Sequence, residues 1–217
     1  MIQRLLFLAA LISAVTFTAF PAPAQEIRHR ELSAEVIEAM ASTRAVIRTS
    51  AGEITLKFFP DIAPQHVDSF ISLAREGFYD GTTFHRVIPG FMIQGGDPNS
   101  KSTDRSTHGT GGPGYRLKAE FSNRPHRRGT LSMARSRHPD SAGSQFFICV
   151  ADVPHLDGQY TVFGEVTDGM AVVDRIVSQP TDKRDNPLER IEMDIDVIEP
   201  EEKSGPSGVE RNGDGAS

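Results

Sequence analysis

Marked only as apolar or polar, the chain is a series of short alternating runs, with helical spacing in three places. "LSAEVIEAMAS" sets Leu32, Val36, Ile37 and Met40 at helical intervals, with Ser33 placed to cap the start. "APQHVDSFISLAREG" repeats the spacing with Val67, Phe70, Ile71 and Ala74, Pro64 near the start and Gly77 as the stop. "MAVVDRIV", from Met170 to Val177, is the third. Ala45 to Phe59 is two β-prone runs around Ala51-Gly52, which predicts a hairpin. Shorter strand-like runs follow: "TTFHRVI", "FMIQGG", "GTLSMA", "SQFFICVA" and "YTVFGEV". In the last run Ile191, Met193, Ile195 and Val197 face one way and Glu192, Asp194 and Asp196 the other, a half-buried strand.

Many short strands with few helices is not a βαβ alternation, so an antiparallel sheet or barrel closed by helices is expected. Strand alternation also separates Phe146 from Phe147: one ring packs inside, and the other lines a groove on the opposite surface.

Both ends depart from this pattern. After Arg4, Leu5 to Phe20 is uncharged and apolar, and "PAPAQ" follows. Ala22-Pro23-Ala24 fits a small-x-small cleavage site. The run is shorter than the ~20 residues a spanning helix needs, so an exported leader cut after Ala24 is favoured over an anchor. The expected organisation is a leader at 1–24, a helical extension at 25–44, a main domain at 45–198 and a disordered tail at 199–217. That tail has almost nothing to bury. The mature protein is then expected outside the cytoplasm, in the periplasm where the source has one, and not held in a membrane.

Charge and cysteine usage narrow the classes. With 23 Lys and Arg against 29 Asp and Glu, the formal net charge is −6, which argues against a nucleic-acid binder. The single cysteine, Cys149, forms no internal disulfide and sits in an apolar run as a small hydrophobe.

Several chemical motifs lack their context. "GTGGPG" (109–114) has the letters of a dinucleotide fingerprint, but "KSTDRSTH" precedes it and Pro113-Gly114 prevents a helix start, so a surface loop is expected and no cofactor. None of the seven histidines pairs with another, or with Cys149, at metal-ligand spacing, so no metal is expected. No G-x-S-x-G elbow is present, although a triad could still assemble from distant residues. What remains is "FHRVIPGFMIQGGD", an arginine and a glutamine amid Phe84, Val87, Ile88, Phe91, Met92 and Ile93.

That stretch, with "GTLSMA", "GSQFFI", "LDGQYTVFGEV" and "GMAVVDRI" in this order, resembles the cyclophilin family of peptidyl-prolyl isomerases over about Ala45 to Ile198. "MARSRHPDSAGSQFF" is similar to the bacterial exported branch. The resemblance implies a mostly β fold, a closed antiparallel eight-stranded barrel capped by two α-helices, here with a short N-terminal helix added. It implies rotation about Xaa-Pro peptide bonds, without cofactor or metal, in proline-containing unfolded or flexible polypeptides, and so help in folding exported proteins. A monomer is expected.

By the same resemblance Arg86 is the catalytic donor and Gln94 orients it. Phe91, Met92, Phe147 and Leu156 form the proline pocket, Gln145 holds the peptide, and the backbone of Ala134 and Arg135 pairs with the substrate. A structural ion pair at a strand end is the plainer reading of Arg86 alone. Three positions depart from the family: Arg135 for a common Asn, His155 for Trp, and Tyr160 for His. Tyr160 keeps a ring and a hydroxyl at the pocket wall. His155 lacks the indole that contacts cyclosporin, so weak cyclosporin binding with retained activity is expected. The alternative of a different class is a cyclophilin-fold module that binds proline-containing segments without turnover.

Overall fold

The computed structural model describes residues 25–199. The leader expected at 1–24 and the tail from residue 200 lie outside the described residues. In chain order the elements are β1 (Ile27–Arg28), α1 (Ala34–Ser42), β2 (Arg44–Thr49), β3 (Gly52–Phe58), α2 (Pro64–Arg75), β4 (Thr82–Thr83) and β5 (Arg86–Ile88). They continue with β6 (Met92–Gly95), β7 (Arg116–Leu117), β8 (Thr130–Met133), β9 (Phe146–Cys149), β10 (Val162–Asp168), α3 (Met170–Val177) and β11 (Glu192–Ile198).

Local signals account for the helix ends. Ser33 accepts a hydrogen bond from the Val36 N–H and starts α1. Pro64 opens α2, where its missing N–H costs nothing, and Gly77 follows the end with φ 67°. On α1, Met40 is buried while Val36 is 38% exposed, so the apolar face is narrower than its spacing predicts.

Nine strands form one antiparallel sheet in the order β4-β11-β2-β3-β10-β8-β9-β6-β5. Its two edge strands, β4 and β5, are halves of one run interrupted only by Phe84 and His85. The start of that run pairs with β11 and its end with β6, so the sheet curls round until its edges meet in the segment 82–88. Counted as one strand, this run gives the eight expected. β1 and β7 stand apart as a parallel pair.

The interior is apolar and aromatic. Phe70 of α2 sits 5.1–5.6 Å, centroid to centroid, from Phe58, Tyr79, Phe146 and Phe163. Val173 and Ile176 of α3 and Ile47, Ile54 and Leu56 of the sheet are fully buried in the same core. Gly96 marks a close approach: its φ is +81°, and a Cβ there would meet the Ser144 carbonyl at 2.5 Å. No described helix is long and apolar enough to cross a membrane.

Candidate active site

Strand register decides which side chains share the outer surface. Arg86 on β5 is opposite Gln94 on β6, Gln94 is opposite Phe147 on β9, and Phe147 is opposite Ser132 on β8. Directly paired residues share a face, so these four form one row across the sheet. Two residues along, Ile88, Met92 and Cys149 form the next row on that face. Phe146 points the other way, into the main core, while Phe147 joins a second cluster of Met92, Cys149, Val153 and Leu156. The two rings divide as alternation predicts.

This second cluster floors a cavity of about 180 Å³. Its walls are Arg86, Phe91, Met92, Gln94, Ala134, Arg135, Phe147, Leu156 and Tyr160. That is smaller than a site for a drug-sized ligand and suits one small ring. Two residues singled out in the sequence lie outside it. Gln145 lines the neighbouring cavity. His155 is exposed at the rim, tilted against the Phe91 ring at 5.8 Å.

Arg86 lies at the mouth with its side chain 44% exposed. Its Nε is 3.6 Å from Oδ2 of Asp185, a residue no sequence pattern singled out. Asp185 has φ +62°, uncommon for a residue with a side chain, and its carbonyl accepts the Val87 N–H at 2.8 Å. The loop around it is tied down. The Asp182 carboxylate accepts the N–H groups of Arg184 and Asn186, and Arg105 donates to Asn186 and to the Leu188 carbonyl. Gln94, the expected orienter of Arg86, donates instead to Gln145 Oε1 at 3.0 Å, and Gln145 donates to the Gly111 carbonyl at 2.9 Å.

The other walls are held from behind. Ala134 donates its N–H to the Gln145 carbonyl at 2.9 Å, so that donor is occupied. The Arg135 side chain does more than its backbone role required. Nε and Nη2 donate to the Gln159 carbonyl at 3.0 and 2.9 Å, and the guanidinium lies 4.5 Å above the Tyr160 ring. Tyr160 meets Phe147 edge-on at 5.8 Å. His126 stacks on Phe147 at 6.1 Å.

Behind that stack, His126 Nδ1 is 3.0 Å from Asp157 Oδ1 and its Nε2 is 3.0 Å from Ser132 Oγ. This is the order of a hydrolytic triad, assembled from distant residues. Ser132 is 0% exposed and its Oγ donates to the Thr161 carbonyl, so it cannot reach a substrate, and the relay buttresses the pocket wall. Burial holds the His126 ring below its usual pKa, against the pull of Asp157. Hydrogen bonds from the His126 main chain and ring hold Asp157 below the ordinary carboxylate range.

On the opposite side of the strand, His85 is buried, and neither ring nitrogen makes a hydrogen bond of normal geometry among the described residues. Burial lowers its pKa to about 4, the nearby Asp97 carboxylate offsetting part of the effect. Asp97, 0% exposed, organises the glycine-rich loop by accepting the N–H groups of Asn99, Gly109, Thr110 and Gly111. "GTGGPG" is therefore a loop wrapped on an internal carboxylate. Burial pushes the Cys149 thiol up to about 12, so it is unreactive at neutral pH.

The family model described as cyclophilin type peptidyl-prolyl cis-trans isomerase/CLD matches residues 44–196. A peptidyl-prolyl cis-trans isomerase of Helicobacter pylori is 46% identical over 160 residues, covering 72% of this chain and 89% of its own length. One of Synechococcus elongatus is 51% identical over 126 residues, 58% of this chain and 81% of that protein. A crystal structure of a Cryptosporidium parvum cyclophilin type peptidyl-prolyl cis-trans isomerase superposes with TM-score 0.66 at 33% identity, covering 72% of this chain and 96% of that one. A crystal structure of the same protein in the presence of the dipeptide Ala-Pro gives TM-score 0.65 at 34% identity, with coverage of 72% and 98%.

Proposed function

The chain belongs to the cyclophilin-type peptidyl-prolyl cis-trans isomerases, and from that premise we propose that its groove turns Xaa-Pro bonds in exported polypeptides, with Arg86 as the catalytic donor. The observation that carries this reading is the single row of Arg86, Gln94 and Phe147, which sets a guanidinium at the mouth of a ring-sized pocket with an apolar floor.

The reaction breaks no bond between heavy atoms. Its barrier is amide resonance, ~18–20 kcal/mol, and uncatalysed Xaa-Pro exchange takes tens to hundreds of seconds. In the twisted transition state the prolyl nitrogen loses conjugation and becomes a hydrogen-bond acceptor. A guanidinium donor beside it interacts more strongly with the twisted amide than with the planar one, and only such differential interaction speeds the step. The apolar floor of Met92, Phe147 and Leu156 holds the ring and lowers the local dielectric, which strengthens that donor. Asp185 approaches Arg86 at Nε, with Oδ2 at 3.6 Å.

The leader-like sequence at 1–24 supports work outside the cytoplasm, where chains that cross a membrane unfolded must then isomerise their prolines. His155, exposed at the rim in place of a larger indole, supports weak cyclosporin binding.

The test is cis-trans exchange of a short Xaa-Pro peptide on the mature protein, read by NMR. Acceleration is expected. A protein that binds the peptide without accelerating exchange is the binding module instead. For the exported role, fusion of residues 1–24 to a reporter should deliver it outside the cytoplasm with its new N-terminus at Gln25. A reporter retained uncut in the cytoplasm would contradict that role.

A further inference from the structure

Beside the proline pocket lies a second cavity of about 310 Å³, which shares Gln94, Ala134 and Arg135 with it. One residue of its wall comes from outside the isomerase domain. Gln25 lines it, ahead of residue 44 where the family match begins. β1 lies parallel to β7, the Arg116 N–H donates to the Glu26 carbonyl at 2.9 Å, and Arg116 Nε reaches Gln25 Oε1 at 3.4 Å.

This segment is firmly seated. Arg28 donates to Tyr115 Oη at 2.7 Å and to Asp68 at 3.1 Å, and Arg30 reaches the same carboxylate at 2.8 Å. Asp68 is only 5% exposed, so removing the arginines would strand a buried charge. Gln65 both accepts from the Arg30 N–H and donates to its carbonyl. Tyr115, fixed by Arg28, is itself part of the cavity wall.

The lining carries two cations, Arg116 and Arg135, with amides and hydroxyls and no carboxylate. Among the described residues neither arginine has a carboxylate partner. Arg135 donates only to neutral carbonyls, so its charge stays uncompensated. In a chain of net charge −6 this is a local reversal of sign. Cleavage after Ala24 would add the α-amino group of Gln25 at the same wall.

Resting on the isomerase reading above, we infer that the segment Gln25–Arg28 completes a cation-lined subsite that takes an acidic side chain flanking the Xaa-Pro bond. A polypeptide with its proline in the apolar pocket enters this cavity as it passes Ala134 and Arg135, the wall the two share. The enzyme thereby selects acidic segments among its substrates.

The experiment uses protein beginning at Gln25, its Arg116→Gln variant and its Arg116→Lys variant. The first substitution keeps the main-chain pairing to Glu26 and removes the charge; the second keeps the charge. Two sets of Xaa-Pro peptides carry Glu, Ala or Lys two residues before the bond or two residues after it. NMR reads both kcat/KM and Kd. In one set, Glu should exceed Lys by about tenfold at low salt, since attraction and repulsion at a partly exposed site each contribute a few-fold. The ratio should shrink where salt cuts the screening length to ~3 Å, collapse in Arg116→Gln and survive in Arg116→Lys. Equal values for Glu and Lys in both sets, or a ratio untouched by Arg116→Gln, overturns the subsite. Turnover without charge preference removes the subsite and leaves the isomerase. Charge-selective binding without turnover upholds the subsite and removes the isomerase.

Discussion

The two cavities of the groove are neighbours built in opposite ways. The proline pocket has an apolar floor, rises largely from the adjacent strands β5, β6 and β9, and is buttressed by a relay from half-exposed Asp157 to buried His126 and Ser132. The second cavity is polar, and its walls combine Gln25, just ahead of β1, with loops far along the chain. On the proposed reading the first takes the proline ring, a shape common to all substrates, and the second meets whatever flanks it. Chemistry and selectivity are therefore separable, and substitutions can move one without the other.

The largest difference should appear on truncation. Phe147→Ala empties the pocket floor, which is 5% exposed, and should cost about 3–5 kcal/mol of stability together with most peptide affinity. Arg116→Gln, on the second wall, should cost under about 1 kcal/mol, as a surface charge does. Urea denaturation of both variants checks this, and similar losses would erase the contrast.

Next in size is a pH effect under the strand that carries Arg86. The folded pKa of His85 is about 4, below the ordinary 6.5, so the unfolded chain binds the extra proton between these values. Stability contributed by this group is complete above pH 6.5 and is lost as pH falls toward 4, by up to about 3 kcal/mol. Asp97 opposes the shift, while His108 and Arg86 reinforce it. Because its ring nitrogens are unpaired, His85→Leu should fold well at pH 7 and flatten the decline in urea midpoint between pH 6.5 and 4. An unchanged decline would assign the effect elsewhere.

The smallest effect concerns Asp185. Asn also tolerates positive φ, so Asp185→Asn removes the charge beside Arg86 and spares the backbone. An ion pair this exposed should change kcat by only about two- to fivefold, leave KM alone and make kcat less sensitive to salt. A change in KM alone would point to substrate contact instead.

The proline pocket was legible in the sequence through the motifs that resemble the cyclophilin family, and strand alternation separately put Phe147 on its face; Phe91, Ala134, Arg135, Leu156 and Tyr160 lie off the strands. Phe146 and Phe147 divide as that alternation requires, and Ser33, Pro64 and Gly77 mark helix ends through local chemistry. The second cavity was not legible. β1 and β7 are two residues each, too short for any periodicity, and pair across some ninety positions. Gln25 carries no signal of its destination. Asp185 escaped notice because its role depends on a left-handed backbone and a loop held by distant arginines. The Ser132–His126–Asp157 relay was likewise a product of tertiary packing, and burial, not residue type, shows that it is a buttress.

The central claim is that Arg86 acts on the twisted amide and contributes little to holding the planar one. Exchange rate and Kd for one Xaa-Pro peptide, measured in a single NMR titration of wild type and Arg86→Ala, test it directly. The account predicts a rate loss on the order of a hundredfold, comparable to deleting one preorganised donor, with Kd changed less than about threefold. An Arg86→Ala protein that exchanges the peptide as fast as wild type would contradict it.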